Sequence, residues 1–179
     1  MHRYEYDEEN RIDKIYTSRF GLNWEEDADF YYYPHGELAR IELGEEKVQG
    51  IDYAYTLQGW LKGINSSLQD PSQDMGGDGA GTGRFSNICQ DVVSMALDYF
   101  SDDYKAIGSG ASLTAHLGGP LANSSPELFN SDIRQAVIHN TGLPSNQSIA
   151  YAYTYDQLNR LDQADVFMRN QNSWISSGD

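Results

Sequence analysis

The side chains that could perform nucleophilic chemistry are few. Cys89 is the only cysteine, so His116 or His139 would have to activate it in any thiol-based active site. No motif of a cysteine enzyme surrounds these residues, and a single cysteine is most often a small buried hydrophobe. A lone cysteine also excludes a disulfide or a thiolate metal cage within the chain.

Paired carboxylates are the other catalytic arrangement that the composition allows, since an acid and a nucleophile or base a few ångströms apart can hydrolyse a glycosidic bond. With 27 acidic residues, chance pairs are unavoidable. His35 lies inside the short Pro34–Gly36 turn, where an exposed polar ring is expected. We therefore expect no catalytic residue, and keep a hydrolase with a carboxylate or histidine site as the second alternative function.

Residues 68–84 are the segment richest in glycine and aspartate, and they read as a solvated loop. Asp70, Asp74 and Asp78 are spaced four apart, and oxygen ligands on a pliable loop suit calcium. The spacing differs from that of an EF-hand, which needs alternate ligands and a closing glutamate. Calcium is thus the one cofactor that the sequence admits, and otherwise we expect none.

The charge balance limits the partners. A formal net charge of −15 repels nucleic-acid phosphates, and the basic residues form no run. No stretch approaches the roughly 20 apolar residues of a membrane-spanning helix. We expect neither nucleic-acid binding nor a membrane span, and any export signal would lie outside this chain.

A tyrosine-rich pattern recurs along the chain. Internal repeats of this kind indicate a repeat architecture, so they are considered before the individual strands. The first and last copies share Y-x-Y-D-x-x-N-R-[IL]-D, the third keeps the register with Thr56 and Trp60, and the second is one residue shorter. The four copies span Tyr4–Ile15, Tyr31–Ile41, Tyr53–Ile64 and Tyr153–Ala164.

Each copy predicts a β-hairpin. The Y-x-Y alternation places two rings on one face of a strand, and the next Asp or Pro opens a turn. The Asn or Gly near the end of that turn tolerates positive φ. Isolated hairpins are marginal in water, so such units should stack and share one sheet. The predicted fold class is mainly β.

This motif resembles the YD repeat of the RHS/YD-repeat family, bacterial relatives of the animal teneurin shell. The resemblance implies stacked hairpins forming a curved spiral sheet, part of a shell that encloses or displays a C-terminal effector. It implies a secreted or cell-surface protein in toxin delivery or contact. Its partners would be the rest of a larger shell or the effector.

The resemblance also implies which residues are structural. Tyrosine pairs would hold neighbouring strands together, and Arg11 and Arg160 would pair with nearby acids. The predicted structural residues are Tyr4, Tyr6, Asp7, Arg11, Tyr31, Tyr33, Tyr53, Tyr55, Trp60, Tyr153, Tyr155, Asp156 and Arg160. The first alternative function is a carbohydrate- or protein-binding surface, because tyrosines beside carboxylates also contact sugars. Uncovered end strands would favour a homo-oligomer.

Along the chain we expect one structural unit in three stretches: hairpin repeats over residues 1–67, a loop-rich spacer over 68–148, and a last repeat with a polar tail over 149–179. In the spacer, an irregular or helical lead-in at 85–91 precedes a strand at 92–100. Residues 108–126 read as a second loop, with a short strand over 133–138.

Overall fold

The computed structural model describes residues 1–66, 74–79, 83–106, 113, 119–142, 148–170 and 173–177. It contains 11 antiparallel strands whose order in the open sheet is their order along the chain. This confirms the mainly β fold class. The chain divides into two compact units, residues 1–53 with 76–91 and residues 54–75 with 92–179.

The first unit is a meander with a charged interior. Its strands are β1 (His2–Tyr6), β2 (Ile12–Thr17), β3 (Glu25–Tyr32), β4 (Leu38–Leu43) and the first part of β5 (Gln49–Tyr55). Among its described residues, the buried apolar side chains are Ala28 and Ile88. The buried polar side chains outnumber them and comprise Ser18, Asp29, Arg40, Glu42, Asp52, Asp78 and Asp91. Ion pairs therefore occupy the space that an apolar core would fill.

The acidic run at residues 25–27 looks like a solvated turn from its sequence alone, but the structure places it in a strand. These residues open strand β3, in which Glu25 and Glu26 pair with Thr17 and Tyr16 of β2. Two lysines neutralise Glu26: Lys14 Nζ lies 2.8 Å and Lys47 Nζ 2.6 Å from its carboxylate. Paired carboxylates are compatible with a strand, because cross-strand opposite charges stabilise it.

The second unit contains the larger apolar core. Its remaining strands are β6 (Leu61–Ile64), β7 (Val93–Asp98), β8 (Gln135–Asn140), β9 (Ser148–Tyr155), β10 (Leu161–Asn170) and β11 (Ser173–Ser176), with a 3₁₀ helix at Gly119–Asn123. Small residues on β9 let larger side chains pack over the sheet. The core cluster comprises Leu121, Val137, Ala150, Ala152, Phe167 and Trp174.

The spacer is more ordered than the sequence predicted. The expected strands at 92–100 and 133–138 correspond to β7 and β8, and residues 85–91 form an irregular lead-in. The expected loop at 108–126, where described, instead contains the 3₁₀ helix, whose Leu121 is fully buried. Residues 68–73 and 80–82 of the first predicted loop, and residues 108–112 and 114–118 of the second, lie outside the described residues.

Part of the polar tail is a β-strand. Residues 173–176 form β11, which pairs with β10. Trp174 anchors this strand, because its ring is buried in the core cluster. Within the described ranges, no helix is long and apolar enough to cross a membrane.

Replacing Trp174 by alanine should destabilise the protein by about 3–5 kcal/mol, since it removes a large buried ring and leaves a cavity. The matched control is Ile175→Thr on the same strand, where the side chain is 42% exposed against 4% for Trp174. A surface change of this kind should alter the free energy of unfolding by about 0.5 kcal/mol or less. Urea titration followed by fluorescence measures both, and equal effects would contradict the role given to Trp174.

Candidate functional site

Each of the four predicted repeats contains the same turn. In each, the backbone N–H of the first residue donates to the carbonyl of the fifth, and the N–H of the fourth donates to the carbonyl of the first. The turns are Asp7–Arg11, Tyr33–Glu37, Thr56–Trp60 and Asp156–Arg160, with donor–acceptor distances of 2.8–3.0 Å. The fourth residue has positive φ in every case: Asn10, Gly36, Gly59 and Asn159. An Asn or a Gly thus takes the positive-φ position in all four turns.

An aspartate at the first position holds the outer two turns closed. Asp156 Oδ1 accepts hydrogen bonds from the backbone N–H of Leu158 and Arg160, and Oδ2 accepts one from Arg160 Nε at 2.7 Å. These bonds, led by the Arg160 side chain, lower the pKa of Asp156. Asp7 makes the same bonds with Glu9 and Arg11. Arg11 and Arg160 thus each pair with the aspartate of their own turn.

The same irregularity follows each of three turns. Tyr6 faces Ile12 while Glu5 faces Lys14, so one residue of the returning strand is left over as a β-bulge. The pairs that begin with Tyr32 and with Tyr155 shift in the same way. A bulge increases the local twist of a hairpin.

The register of the second repeat differs from the prediction. Tyr33 opens the turn and so occupies the repeat position of Asp7. The two alternating aromatic positions of the strand are therefore Phe30 and Tyr32, whereas Tyr31 and Tyr33 were predicted there. Pro34 explains the shift, because its fixed φ suits the second position of a turn. No residue is missing from this copy.

Tyrosine hydroxyls connect one hairpin to a neighbouring strand. Tyr32 Oη donates to the carbonyl of Ile12 at 2.7 Å, and Tyr155 Oη, at the same repeat position, donates to the carbonyl of Ile133 at 2.8 Å. The Arg11 guanidinium also lies over the Tyr32 ring, 4.3 Å from its centroid. Both hydroxyls thus donate to backbone carbonyls, and the Tyr32 ring is also covered by Arg11 of the preceding hairpin.

The other predicted tyrosines have varied surroundings. Tyr33 Oη donates to the carbonyl of Tyr53 at 2.7 Å, and Tyr31 Oη donates to Asp29 at 3.0 Å. Burial, with the Asp29 hydrogen bond, raises the pKa of Tyr31 to about 12. Tyr55 is half-buried on β5, and Tyr153 is half-buried and stacks on Tyr151.

The first hairpin is uncovered on one side. Every residue of β1 is exposed, including Tyr4 and Tyr6, and β1 pairs with β2 alone in the strand order. Tyr6 occupies the repeat position of Tyr32 and Tyr155. Its exposed ring marks the surface that a preceding strand pair covers in the later hairpins.

A buried cation lies at the centre of the first unit. Arg40 donates to Asp52, to Glu42 at 3.1 Å and to Asp78 at 2.7 Å. The guanidinium also lies 4.0 Å from the centroid of the Phe85 ring. Three carboxylates around one guanidinium fix the segment 76–91 to β4 and β5, since removing one partner of a buried pair is costly.

This arrangement bears on the calcium prediction. Asp78 is engaged with Arg40, Asp74 is half-buried, and Asp70 lies outside the described residues. In the part of the chain that the structure describes, no group of three or more His, Cys, Asp or Glu side chains is arranged to hold a metal ion.

A second buried cation lies in the second unit. Lys62 on β6 is fully buried, and its Nζ contacts the carboxylates of Asp98, at the end of β7, and of Asp103, the latter at 2.7 Å. Asp103 Oδ2 also accepts the Tyr99 backbone N–H at 2.9 Å. Trp60, the predicted repeat residue just before β6, packs against Tyr99 with ring centroids 5.0 Å apart. Sequence reasoning missed Lys62, although a lysine inside the apolar strand Leu61–Ile64 was a signal.

The sequence-derived nucleophile candidates are dispersed. Cys89 is exposed and forms an isolated β-bridge with Gln49 in the first unit. His139 is buried in the second unit, where its Nδ1 lies 2.8 Å from Ser148 Oγ. His35 is exposed and stacks on Tyr33, and His116 lies outside the described residues.

A pocket of about 540 Å³ lies in the connection between β2 and β3. Its walls combine an exposed aromatic ring with charged and hydrogen-bonding side chains. The lining residues are Thr17, Ser18, Arg19, Phe20, Leu22, Asn23 and Glu25.

No protein-family model matches the chain, and a search of curated proteins found none with significant similarity. The resemblance to the RHS/YD-repeat family therefore stays a prediction from the repeat motif.

The tyrosine hydroxyls allow a direct test. Tyr32→Phe and Tyr155→Phe should each lower the free energy of unfolding by about 1 kcal/mol, because each leaves a backbone carbonyl without its hydrogen bond. Tyr6→Phe is the matched control, since Tyr6 has the same repeat position with an exposed side chain. Urea unfolding of the three variants measures the difference. Losses of the same size at all three positions would show that the bonds to Ile12 and Ile133 contribute nothing.

Proposed function

We propose that this chain is a structural segment of an RHS/YD-type shell. Its stacked hairpins form part of a curved wall that encloses or displays a C-terminal effector. The protein acts in secreted or cell-surface toxin delivery or contact. The chain supplies scaffolding, and another part of the assembly supplies any catalytic activity.

The observation that carries this proposal is the repeated link between hairpins. The same turn recurs in four places. The tyrosine at one repeat position donates to a backbone carbonyl of an earlier part of the sheet: Tyr32 to Ile12, and Tyr155 to Ile133. Such a unit satisfies its polar groups only beside another unit, as in other repeat architectures. A wall that extends by adding hairpins follows from this dependence.

The exposed face of β1 supports a partner of the same kind. Tyr32 is covered by the Ile12 carbonyl and the Arg11 guanidinium, whereas Tyr6 at the equivalent position is exposed. An uncovered edge strand is a template for pairing with another strand. The occupant is a further hairpin, which a complete shell would supply from its neighbouring segment and which the chain by itself would obtain from a second copy.

Sedimentation velocity at several protein concentrations tests this proposal. The chain should associate as its concentration rises, and Tyr6→Lys should weaken that association, because a lysine on an edge strand discourages pairing. Leu158→Lys is the control, since it makes the same charge change at an exposed turn residue of the other compact unit.

A chain that stays monomeric at every concentration would contradict the proposed edge. Association that Tyr6→Lys and Leu158→Lys weaken equally would also contradict it, because the surface involved would then not be β1. Circular dichroism of both variants confirms that each is folded.

A carbohydrate-binding surface is the second candidate, and the pocket between β2 and β3 favours it. Phe20 offers an exposed ring on which a sugar can stack, and Arg19, Asn23 and Glu25 offer hydrogen bonds to hydroxyl groups. A shell displayed at a cell surface could carry this site without any change to its wall.

Binding to a panel of immobilised oligosaccharides tests the second candidate. Phe20→Ala should abolish the signal, since it removes the stacking ring. Phe129→Ala should leave the signal unchanged, because Phe129 is also exposed and lies in the other unit, outside the pocket. Absence of any binding, or equal loss in the two variants, would exclude this pocket as a sugar site.

A further inference from the structure

We infer that Lys62 and Asp98 join covalently, forming an intramolecular isopeptide bond between β6 and β7, with Asp103 as the base. The inference goes beyond the proposed shell function and does not depend on it. It rests on the contacts of these three side chains, on their burial and on the chemistry of an amine held against a carboxyl group.

The geometry brings the reacting groups together. Lys62 Nζ contacts Asp98 Oδ1, so the nitrogen lies beside the Asp98 carboxyl carbon. Asp103 Oδ1 lies 2.7 Å from the same nitrogen. A nucleophile held in contact with its electrophile needs no diffusion, and such proximity can supply several kilocalories per mole of a barrier.

Burial changes what this trio can do. The exposed fractions of the side chains are 0% for Lys62, 8% for Asp98 and 0% for Asp103. The amine nitrogen and both carboxyl groups are therefore surrounded by protein rather than by water. A desolvated lysine can act as a nucleophile, as in Schiff-base enzymes.

The two carboxyl groups differ in a way that assigns their roles. Burial raises the pKa of Asp98 despite the nearby Lys62, and the charge of Asp103 contributes to the rise. Asp103 is held on both sides, since its Oδ2 accepts the Tyr99 backbone N–H at 2.9 Å and its Oδ1 lies 2.7 Å from Lys62 Nζ. We therefore assign Asp98 as the carboxyl group that is attacked and Asp103 as the base.

The reaction balances without an oxidant or a cofactor. A proton passes from the Lys62 ammonium to Asp98, giving a neutral amine and a carboxylic acid. The Nζ lone pair attacks Asp98 Cγ and forms the C–N bond. Asp103 accepts a proton from the nitrogen and returns it to the departing hydroxyl group, so the C–O bond breaks and water leaves. The products are one amide and one water, and Asp103 is regenerated.

Three other ion-paired cations among the described residues lack either a nucleophilic nitrogen or full burial. Arg40 is buried among carboxylates, but a guanidinium stays protonated in proteins and is no nucleophile. Lys14 and Lys47 contact carboxylates, but their side chains are 30% and 29% exposed. Solvated ammonium groups keep their protons at neutral pH. The inference therefore applies to Lys62 and leaves the two other ion-paired lysines as internal controls.

The bond would close a large loop. Lys62 and Asp98 are 36 residues apart, and the segment between them contains residues of both compact units. A covalent link across such a loop restricts the unfolded chain, as a disulfide does. Cys89 is the only cysteine, so this link would give the chain a cross-link that a disulfide cannot provide.

Intact mass spectrometry under denaturing conditions tests the inference on the unmodified protein. The measured mass should be lower than the sequence mass by one water, allowing for removal of the initiator methionine. Trypsin should then fail to cut after Lys62 and should yield residues 48–84 joined to residues 85–105. A full sequence mass, with cleavage after Lys62, in both fresh and long-incubated samples would overturn the inference and leave a buried ion pair.

Variants separate this bond from other losses of water, such as succinimide formation at Asp78–Gly79. Lys62→Arg and Asp103→Ala should each restore the full mass, the first by removing the nucleophile and the second the base. Lys47→Arg should retain the loss of water. A mass deficit that survives in Lys62→Arg would overturn the inference. The main measurement is the mass of the protein without substitutions, so it does not depend on whether the variants fold.

Discussion

A single β-hairpin leaves its outer backbone groups and the polar ends of its aromatic side chains without partners, and the structure depends on the next strand supplying them. Tyr32 and Tyr155 show how this is done, since each ring lies against a neighbour and each hydroxyl donates to a carbonyl there. A tyrosine suits this task better than phenylalanine, because its ring is apolar and its end needs a hydrogen bond. Stability is therefore shared between hairpins, and the uncovered β1 is the consequence at one end of the strand order.

Much of the sheet could be predicted because its signals are local. Asp156, Asn159 and Arg160 lie within one turn, so their types and spacing report the turn directly. The shift in the second repeat was missed for a local reason as well: the four aromatic residues from Phe30 to Tyr33 satisfy the alternation in either register, and Pro34 decides between them. Pattern alone cannot separate two registers that differ by one residue.

The charged interiors could not be predicted, because their partners are far apart in the chain. Arg40 meets Asp78 across 38 residues, and Lys62 meets Asp98 and Asp103 across 36 and 41 residues. In a chain with 27 acidic residues, no sequence rule says which carboxylate a given cation will find. The strand in the polar tail was not predicted for a related reason, since Trp174 is buried in one cluster with Leu121 and Val137, which are distant in the sequence.

The excess of acids over bases gives the buried cations a wide choice of partners. A buried arginine or lysine loses its hydration, and the loss is offset only by several well-placed acceptors. Arg40 has three carboxylates and Lys62 has two. The two sites then diverge by chemistry: a guanidinium can only remain an ion pair, whereas an amine beside a protonated carboxyl group can lose water and become an amide. The type of cation therefore decides whether a buried cluster is a reversible contact or a permanent one.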